Sequence, residues 1–303
     1  MAARTKSLIV IAALVATGGL KASGYPGGTA AGDLQVSGVP IPKRIVSLVP
    51  SLTEMLFAIG AGPQVVGVSS YDMYPPETRS RPRVGALLDP DVERILSLRP
   101  DLVLTYASQT SFEAQLDRAG IRSFSYRHGG IDVVLGTLRR LGALTGHEGL
   151  ANRKAEEIQA QLNAIRMKVC GRDRPRVMLV FARPPGSLQQ LFAAGGTGFL
   201  HDMLDIAGAV NVFADVERES VQPSHETMIR RAPDIILEIS GTRDISAADA
   251  ARSRKTWAAL ASIPAVKSGR IYFLSGDYLV IPGPRVPRSA EAFARVIHPE
   301  AFN

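Results

Sequence analysis

The chain has only one cysteine, Cys170, among its 303 residues. A single thiol cannot close an intramolecular disulfide or complete a four-cysteine zinc site, so disulfide scaffolds and cysteine-type zinc modules are excluded. The net charge is +7, but the lysines and arginines are dispersed and form no long basic block. We therefore expect no nucleic-acid partner, because such binding uses clustered positive charge.

Catalytic motifs are lacking as well. No G-x-S-x-G sequence follows a predicted strand, and H-E-x-x-H does not occur; these patterns mark α/β-hydrolase nucleophiles and metalloprotease zinc sites. The glycine-rich stretch at residues 193–204 has neither the lysine of a P-loop nor G-x-G-x-x-G spacing. It is interpreted as a strand-to-helix turn, with an anion site at the helix terminus as the alternative. We predict no catalytic residue, no metal ligand and no resident cofactor.

Two other functions stay open at this point. His201, Asp202 and Asp205 lie close together on one predicted helix, so an exported, metal-assisted two-lobe hydrolase is the first alternative. The second is a cytoplasmic α/β nucleotide-binding protein, which requires the apolar residues near the N-terminus to be part of a core.

The first 24 residues have the order of a secretory signal. Two basic residues precede an apolar run at residues 8–20, and three small residues follow it. The run is too short to span a bilayer comfortably, and no cysteine follows it before Cys170. We expect a soluble periplasmic protein that is not a lipoprotein, with a signal peptide at residues 1–24 and a disordered or extended linker at residues 25–42.

From residue 43 onward, strand and helix patterns alternate. Runs rich in β-branched and apolar residues, such as RIVSLV (44–49), DLVLTY (101–106) and RVMLVFA (176–182), predict buried strands. Helical apolar stripes separate these runs, and the first helix is predicted to begin with a Ser51–Glu54 capping box. This alternation predicts an α/β fold with parallel sheets and helices on their faces.

One segment occurs twice. DPDVERILSLRPDLVL aligns with QPSHETMIRRAPDIILEI so that Pro90 meets Pro223, at an offset of 133 residues. The strands RIVSLV and RVMLVFA correspond at an offset of 132. We predict two structurally related lobes, residues 43–144 and 171–303. A single long helix at residues 145–170, with a Thr145–Glu148 capping box, is predicted to join them.

Glu93 and Glu226 occupy the same position in the two copies. We predict Asp89 as the N-cap and Pro90 as the first helical residue, which puts Glu93 at the fourth helical position. The helix dipole favours an acid near the start of either helix. Duplication then explains why both copies have one, so the pair can be purely structural. The functional interpretation is that each lobe presents one exposed carboxylate to an arginine pocket of a two-fold symmetric partner.

With these features the chain resembles the class III periplasmic substrate-binding proteins of ABC importers, which serve cobalamin, iron–siderophore and haem uptake. The resemblance covers residues 43–300 and is carried by residues 44–77, by ERILSLRPDLVL, by the connecting helix and by SHETMIRRAPDIILEI. It implies two Rossmann-like lobes joined by one long α-helix, with a bulky chelate between them. It also implies that Glu93 and Glu226 dock on arginines of a permease dimer, which works with an ATPase and is the only contact with the membrane.

The resemblance also assigns ligand positions. Tyr71 matches a tyrosine that flanks the corrin in B12-binding members of the family, and Phe192 matches a phenylalanine of their second lobe. Those members have a tryptophan six residues before each docking glutamate, and here these positions are Leu87 and Ser220. Aromatic faces suit a flat macrocycle because they bury a large area at low entropy cost.

Three further residues complete the predicted ligand contacts. Asp277 lies near a polar contact of the family, Tyr106 ends a predicted strand, and Arg183 follows another strand and suits a carboxylated ligand. The transported ligand is expected to be a corrinoid first, with haem or a ferric siderophore as the other choices. No covalent chemistry is predicted.

Overall fold

The structure is a computed structural model that describes residues 40–241 and 244–302. The predicted signal peptide, residues 1–24, and the predicted linker up to residue 39 lie outside the described residues. In the described part of the chain, none of the helices combines the length and the apolarity needed to cross a bilayer.

The described residues form two compact units. The N-terminal unit contains residues 40–128 and 132–157, and the C-terminal unit contains residues 129–131 and 158–302 without 242–243. The boundary at 157/158 falls inside a long helix, which therefore contributes residues to both units.

The N-terminal unit contains six strands, four helices and the first part of a fifth helix. The strands are β1 (Ile45–Ser47), β2 (Val65–Val68), β3 (Gly85–Ala86), β4 (Asp89–Pro90), β5 (Leu102–Tyr106) and β6 (Arg122–Tyr126). The helices are α1 (Pro50–Ala58), α2 (Val92–Ser97), α3 (Thr110–Arg118), α4 (Ile131–Thr145) and the first part of α5 (Glu148–Val169). Four strands form a parallel sheet in the order β2-β1-β5-β6, and β3 pairs with β4 separately. β1 and β5 are buried along their whole length, as expected for central strands of a parallel sheet.

The C-terminal unit repeats this scheme with additions. Its strands are β7 (Arg176–Ala182), β8 (Phe192–Ala194), β9 (Val210–Asn211), β10 (Ser220–Val221), β11 (Ile235–Ser240) and β12 (Ile271–Ser275). Its helices after α5 are α6 (Phe199–Ile206), α7 (His225–Arg231), α8 (Ala247–Trp257), α9 (Pro264–Lys267) and α10 (Val286–Ile297). The sheet order is β10-β8-β7-β11-β12, and β9 also pairs with β7. The pairings β9–β7, β7–β11 and β11–β12 are parallel. The pairings β7–β8 and β8–β10 are antiparallel.

A set of backbone contacts fixes the repeated segment in the N-terminal unit. The Asp101 carboxylate accepts the N–H of Arg44 at 3.0 Å. The Arg44 side chain donates to the carbonyl of Leu98 at 2.9 Å, just where α2 ends. Arg99 then adopts a left-handed backbone with φ of 47°, which turns the chain into β5.

The C-terminal unit has the same contacts. Asp234 accepts the N–H of Arg176 at 2.9 Å, and the Arg176 side chain donates to the carbonyl of Arg231 at 2.8 Å. Ala232 is left-handed with φ of 45°, at the position equivalent to Arg99. The repeated segment therefore has the same local structure in both units, as its offset predicts.

The start of α1 differs from its prediction. Val49 is the N-cap and receives no side-chain hydrogen bond, whereas Ser51 lies inside the helix. The predicted Ser51–Glu54 capping box is wrong, because Pro50 already occupies the first helical position that its fixed φ favours. The apolar stripe of α1 is fully buried; it consists of Leu52, Met55, Leu56 and Ile59.

The long helix α5 also starts differently from the prediction. Thr145 ends α4, and its hydroxyl donates to the carbonyl of Leu141 at 2.7 Å. The predicted Thr145–Glu148 capping box is therefore wrong, because that hydroxyl closes the preceding helix. α5 has 22 residues, about 33 Å at the usual rise per residue, close to the span that the sequence predicts.

Candidate ligand and docking sites

The helix that carries Glu93 begins later than predicted. Asp91 is the N-cap of α2, and its carboxylate accepts the N–H of Arg94 at 3.0 Å. The prediction of Asp89 as N-cap is wrong, because Asp89 and Pro90 form β4 and pair with β3 instead. Glu93 is consequently the second helical residue and not the fourth.

Glu226 occupies the same place on α7. Ser224 is the N-cap, and its hydroxyl accepts the N–H of Thr227 at 3.1 Å. Glu226 is then the second helical residue, as Glu93 is on α2. The helix dipole favours an acid in the first turn of both helices. Glu93 and Glu226 therefore occupy equivalent positions in the two units, as the repeat predicts, although each lies earlier in its helix than expected.

Both carboxylates are accessible. Glu93 is exposed, and the Glu226 side chain is 88% exposed. Arg230 lies one turn after Glu226, with an N–O distance of 3.8 Å, and is itself largely exposed. An exposed pair of this spacing contributes only about 0.3–0.5 kcal/mol, so it does not prevent Glu226 from meeting a partner.

Three aromatic rings meet at the carboxyl end of β5 and β6. Tyr106 and Tyr126 are register partners, with ring centroids 6.3 Å apart. His128 lies 4.9 Å from the Tyr106 ring and 5.3 Å from the Tyr126 ring. All three side chains are buried, so Tyr106, which was predicted to contact the ligand, packs inside this cluster. The sequence does show that both strands end in tyrosine, but only their register brings His128 into contact with Tyr106.

Tyr71 follows β2 on a turn that contains a buried acid. Tyr71 is half-buried, and its N–H donates to the Ser69 hydroxyl at 3.2 Å. The neighbouring Asp72 is buried and accepts the N–H of Ser69 at 2.6 Å. Burial raises the pKa of Asp72 to about 6, although the hydrogen bonds from Ser69 oppose the shift. The turn therefore holds Tyr71 beside a carboxyl group that titrates in the mildly acidic range.

Leu87 does not present its side chain at a surface. It is 7% exposed, and its carbonyl accepts the Gln109 side-chain N–H at 2.9 Å. The Gln109 carbonyl oxygen in turn accepts the N–H of Tyr106 at 2.9 Å. Leu87 thus fixes its loop to the end of β5 through the backbone.

Asp72 and His128 give the N-terminal unit two opposite pH dependences. The native Asp72 keeps its proton up to a pKa of about 6, above the usual 3.8, so the free energy of unfolding falls as pH rises from about 4 to 6. Burial lowers the pKa of His128 to about 4 from 6.5, so the free energy of unfolding rises between about pH 4 and 6.5. Each shift corresponds to up to about 3 kcal/mol. The two slopes therefore oppose each other in the wild type.

Replacing either Asp72 or His128 is expected to leave only the pH dependence of stability that the other residue causes. Asp72→Asn should leave a stability that rises with pH, whereas His128→Gln should leave one that falls with pH. The only tryptophan, Trp257, lies in the C-terminal unit, so hydrogen exchange of β5 and β6 peptides between pH 4 and 7 is the suitable measurement. Asp117→Asn, at an exposed acid of α3, serves as the control. Identical profiles for Asp72→Asn and Asp117→Asn would contradict the assignment.

Phe192 and Ser220 lie on the antiparallel extension of the C-terminal sheet. Phe192 begins β8, is half-buried, and its ring centroid lies 6.1 Å from that of Phe181. Ser220 in β10 pairs with Ala194 in β8 and is also half-buried. The structure thus brings two of the predicted ligand residues onto adjacent strands.

Arg183 belongs to an internal network. Its guanidinium forms an ion pair with the Glu238 carboxylate at 3.1 Å, and the Arg183 side chain is only 8% exposed. The remaining donors contact the Ser253 hydroxyl and the carbonyls of Pro184 and Ser187. Four hydrogen bonds thus hold the guanidinium inside its own unit. These partners occupy the side chain that the sequence suggested for a carboxylated ligand.

Asp277 also has a cationic partner that the sequence analysis did not single out. Arg285 binds both carboxylate oxygens, at 2.8 and 3.0 Å. Burial works against ionisation, but the bidentate pair with Arg285 holds the pKa of Asp277 below its usual range. Next to it, the Arg288 guanidinium lies 4.1 Å from the centre of the Tyr278 ring. The end of β12 is therefore a polar edge with two arginines.

The glycine-rich segment before α6 is a strand-to-helix turn, as the sequence predicts. The N–H groups of Gly195, Gly196 and Thr197 donate to the carbonyls of residues 219, 216 and 218. These three groups are therefore used within the unit, and an anion at the terminus of α6 would have to bind the N–H groups of the first helical turn.

The three residues of the hydrolase alternative face different partners. Asp202 accepts the N–H of Ile131 at 2.7 Å, and Asp205 pairs with Arg174 at 2.5 Å. His201 lies 3.4 Å from the Asn211 amide. Within residues 40–241 and 244–302, no three His, Cys, Asp or Glu side chains converge to hold a metal. The hydrolase alternative therefore has no assembled site.

The fold corresponds to that of a known family. The profile described as "Periplasmic binding protein" matches residues 45–278, and the chain belongs to this family. It is 31% identical over 268 residues to an uncharacterized ABC transporter substrate-binding lipoprotein, YvrC, of Bacillus subtilis, covering 86% of this chain and 82% of that protein. It is 31% identical over 225 residues to the vitamin B12-binding protein of Yersinia pestis, covering 72% and 78%.

Solved structures show the same relationship. A possible iron-binding periplasmic solute-binding protein from Staphylococcus epidermidis superimposes with a TM-score of 0.73 at 28% identity, covering 86% of this chain and all of that one. The haem-binding protein RhuT from Roseiflexus gives a TM-score of 0.71 at 26% identity, covering 86% and 99%. The predicted α/β fold and the resemblance to class III periplasmic substrate-binding proteins are confirmed. The relatives are named as binding proteins and not as enzymes.

Proposed function

We propose that this protein is the extracytoplasmic substrate-binding component of an ABC importer and that it docks on its permease through Glu93 and Glu226. The observation that carries the proposal is the matched, accessible position of the two acids on α2 and α7. A two-fold permease presents the same arginine pocket on each subunit, and arginine pairs strongly with a carboxylate. The protein performs no covalent chemistry, and its partners are the permease dimer with its ATPase.

The proposed ligand is a bulky chelate, with cobalamin or another corrinoid first and haem or a ferric siderophore second. The 31% identity to a B12-binding protein supports a corrinoid, and the haem-binding structural neighbour supports the second choice. Tyr71 and Phe192 are half-buried aromatic residues, one in each unit. Aromatic faces bind flat macrocycles because they bury much apolar area.

The protein is proposed to be exported and soluble. The B. subtilis relative is named a lipoprotein, whereas in this sequence no cysteine follows the apolar run at residues 8–20 before Cys170. An acylated cysteine close to that run is what a lipid anchor of the YvrC type would need, so the two proteins are proposed to differ in how they are held at the membrane.

Truncation of the two aromatic residues tests the ligand assignment. Tyr71→Ala and Phe192→Ala are each expected to weaken binding about 10- to 100-fold, because a buried aromatic side chain contributes roughly 1.5–3 kcal/mol. Calorimetric titration with cyanocobalamin, haemin and a ferric siderophore gives the affinities and ranks the three ligand classes. Tyr74→Ala is the matched control, because Tyr74 belongs to the same loop as Tyr71 and is 43% exposed.

Two outcomes would reject the assignment. If none of the three compounds binds more tightly than about 100 µM, a bulky chelate is not the ligand. If a compound binds but Tyr71→Ala and Phe192→Ala behave like Tyr74→Ala, the ligand contacts lie elsewhere.

A further inference from the structure

The helices α2 and α7, which carry the proposed docking acids, each have an exposed aliphatic residue one turn after the acid. Leu96 follows Glu93 by three residues and Ile229 follows Glu226 by three, so each pair lies on one helix face. Leu96 and Ile229 are both 42% exposed. A single exposed aliphatic residue is ordinary on a protein surface, and it is the repetition at equivalent positions that requires an explanation.

Duplication alone does not explain the pair. Three other positions of the same helices have different residues in the two copies: Val92 and His225, Arg94 and Thr227, and Ser97 and Arg230. Ile95 and Met228 are both apolar because they are buried, whereas the acid and the exposed aliphatic residue have kept their chemistry without being buried. Both helices therefore have the same pair on one face, which is an acid followed by an exposed aliphatic residue.

A groove lies beside Leu96. It has a volume of about 350 Å³ and runs between α2 and α3. Its lining is mostly apolar and consists of Val92, Leu96, Phe112, Leu116 and Ala119 together with Gln115 and Arg118. Phe112 and Leu116 are buried, so the groove is an apolar depression that Leu96 lines, one helical turn after the exposed Glu93.

We propose that Leu96 and Ile229 are the apolar part of the docking surface, and that the groove receives an aliphatic side chain of the permease next to the arginine that meets Glu93. This inference rests on the proposed function. An exposed ion pair contributes only about 0–1 kcal/mol in water. Apolar neighbours that exclude water strengthen such a pair and slow its dissociation. The acids therefore direct the encounter, and the aliphatic residues prolong the complex.

Serine substitutions separate these two roles. Leu96→Ser and Ile229→Ser are each expected to raise the dissociation rate from the nanodisc-embedded permease about 10-fold, and about 100-fold together. The association rate and its salt dependence should stay unchanged, because those depend on charge. Biolayer interferometry with the full-length permease complex gives both rates. Leu150→Ser is the control, because Leu150 is 44% exposed on α5.

The outcomes distinguish the inference from the proposed function. If Leu96→Ser and Ile229→Ser behave like Leu150→Ser while loss of the two acids abolishes docking, the apolar contact is absent and the docking proposal stands. If neither the aliphatic nor the acidic variants change binding, docking through α2 and α7 fails altogether. If Leu96→Ser only removes self-association in sedimentation experiments, the groove binds a second copy of this chain and the inference is overturned.

Discussion

A variant that carries both Glu93→Ala and Glu226→Ala is expected to bind its ligand with unchanged affinity and to lose transport. Both acids are exposed at the second position of their helices, so neither substitution disturbs a buried contact. Truncating one member of a charge pair that becomes buried in a complex costs about 2–5 kcal/mol. Each substitution should therefore weaken permease binding about 30-fold or more, and the double variant should lose detectable docking.

Three measurements check this result together. Uptake in cells that lack the chromosomal copy reports transport, calorimetry reports ligand affinity, and interferometry reports docking. The wild-type association should weaken at high salt, and that of each single-acid variant should weaken less. Asp117→Ala combined with Glu217→Ala removes the same charge at exposed acids of each unit and should leave all three unchanged. A double variant that still docks but has lost its ligand would reverse the assigned roles.

Arg183→Met is expected to lower the free energy of unfolding of the C-terminal unit by about 3–5 kcal/mol. The substitution leaves the Glu238 carboxylate, which is 13% exposed, without its counter-charge. Ser253 and the Trp257 indole N–H remain as hydrogen-bond donors to Glu238, but neither carries a charge. Trp257 is the only tryptophan, so its fluorescence during chemical denaturation reports this unit directly.

Two companion variants identify the cause of the loss. Adding Glu238→Gln to Arg183→Met should recover a large part of the stability, because no unpaired charge is then buried. Arg252→Met on α8 breaks an ion pair with Asp249 in which the arginine is 71% exposed, and it should cost less than about 1 kcal/mol. A small stability loss for Arg183→Met together with a large loss of ligand affinity would restore Arg183 as a ligand contact.

The regular elements are predictable because their signals are local. β5 and β7 are continuous apolar runs, and α1 has a complete apolar stripe, so period and composition suffice to place them. The boundary of α2 is a different case. The sequence DPD offers two aspartates as N-cap, and the choice of Asp91 depends on the pairing of β4 with β3, which is a tertiary contact.

The site residues depend more strongly on distant contacts. Arg183 follows a strand, as a ligand residue would, but its partners Glu238 and Ser253 lie 55 and 70 positions away along the chain. His128 has no motif around it, and only the register of β5 with β6 brings it to Tyr106. Glu93 and Glu226 could be predicted from the sequence because the segment that contains them occurs twice. Comparison of the two copies shows which residues were retained and which changed.

The most direct test of the account is native mass spectrometry, combined with absorbance spectroscopy, of the full-length protein isolated from its own host. The account predicts one intact metal-containing chelate per chain, with a corrin or haem spectrum or that of a ferric siderophore, released unaltered on denaturation. A protein that stays empty when offered cobalamin, haemin and a ferric siderophore, or one that returns a chemically changed product, would contradict it.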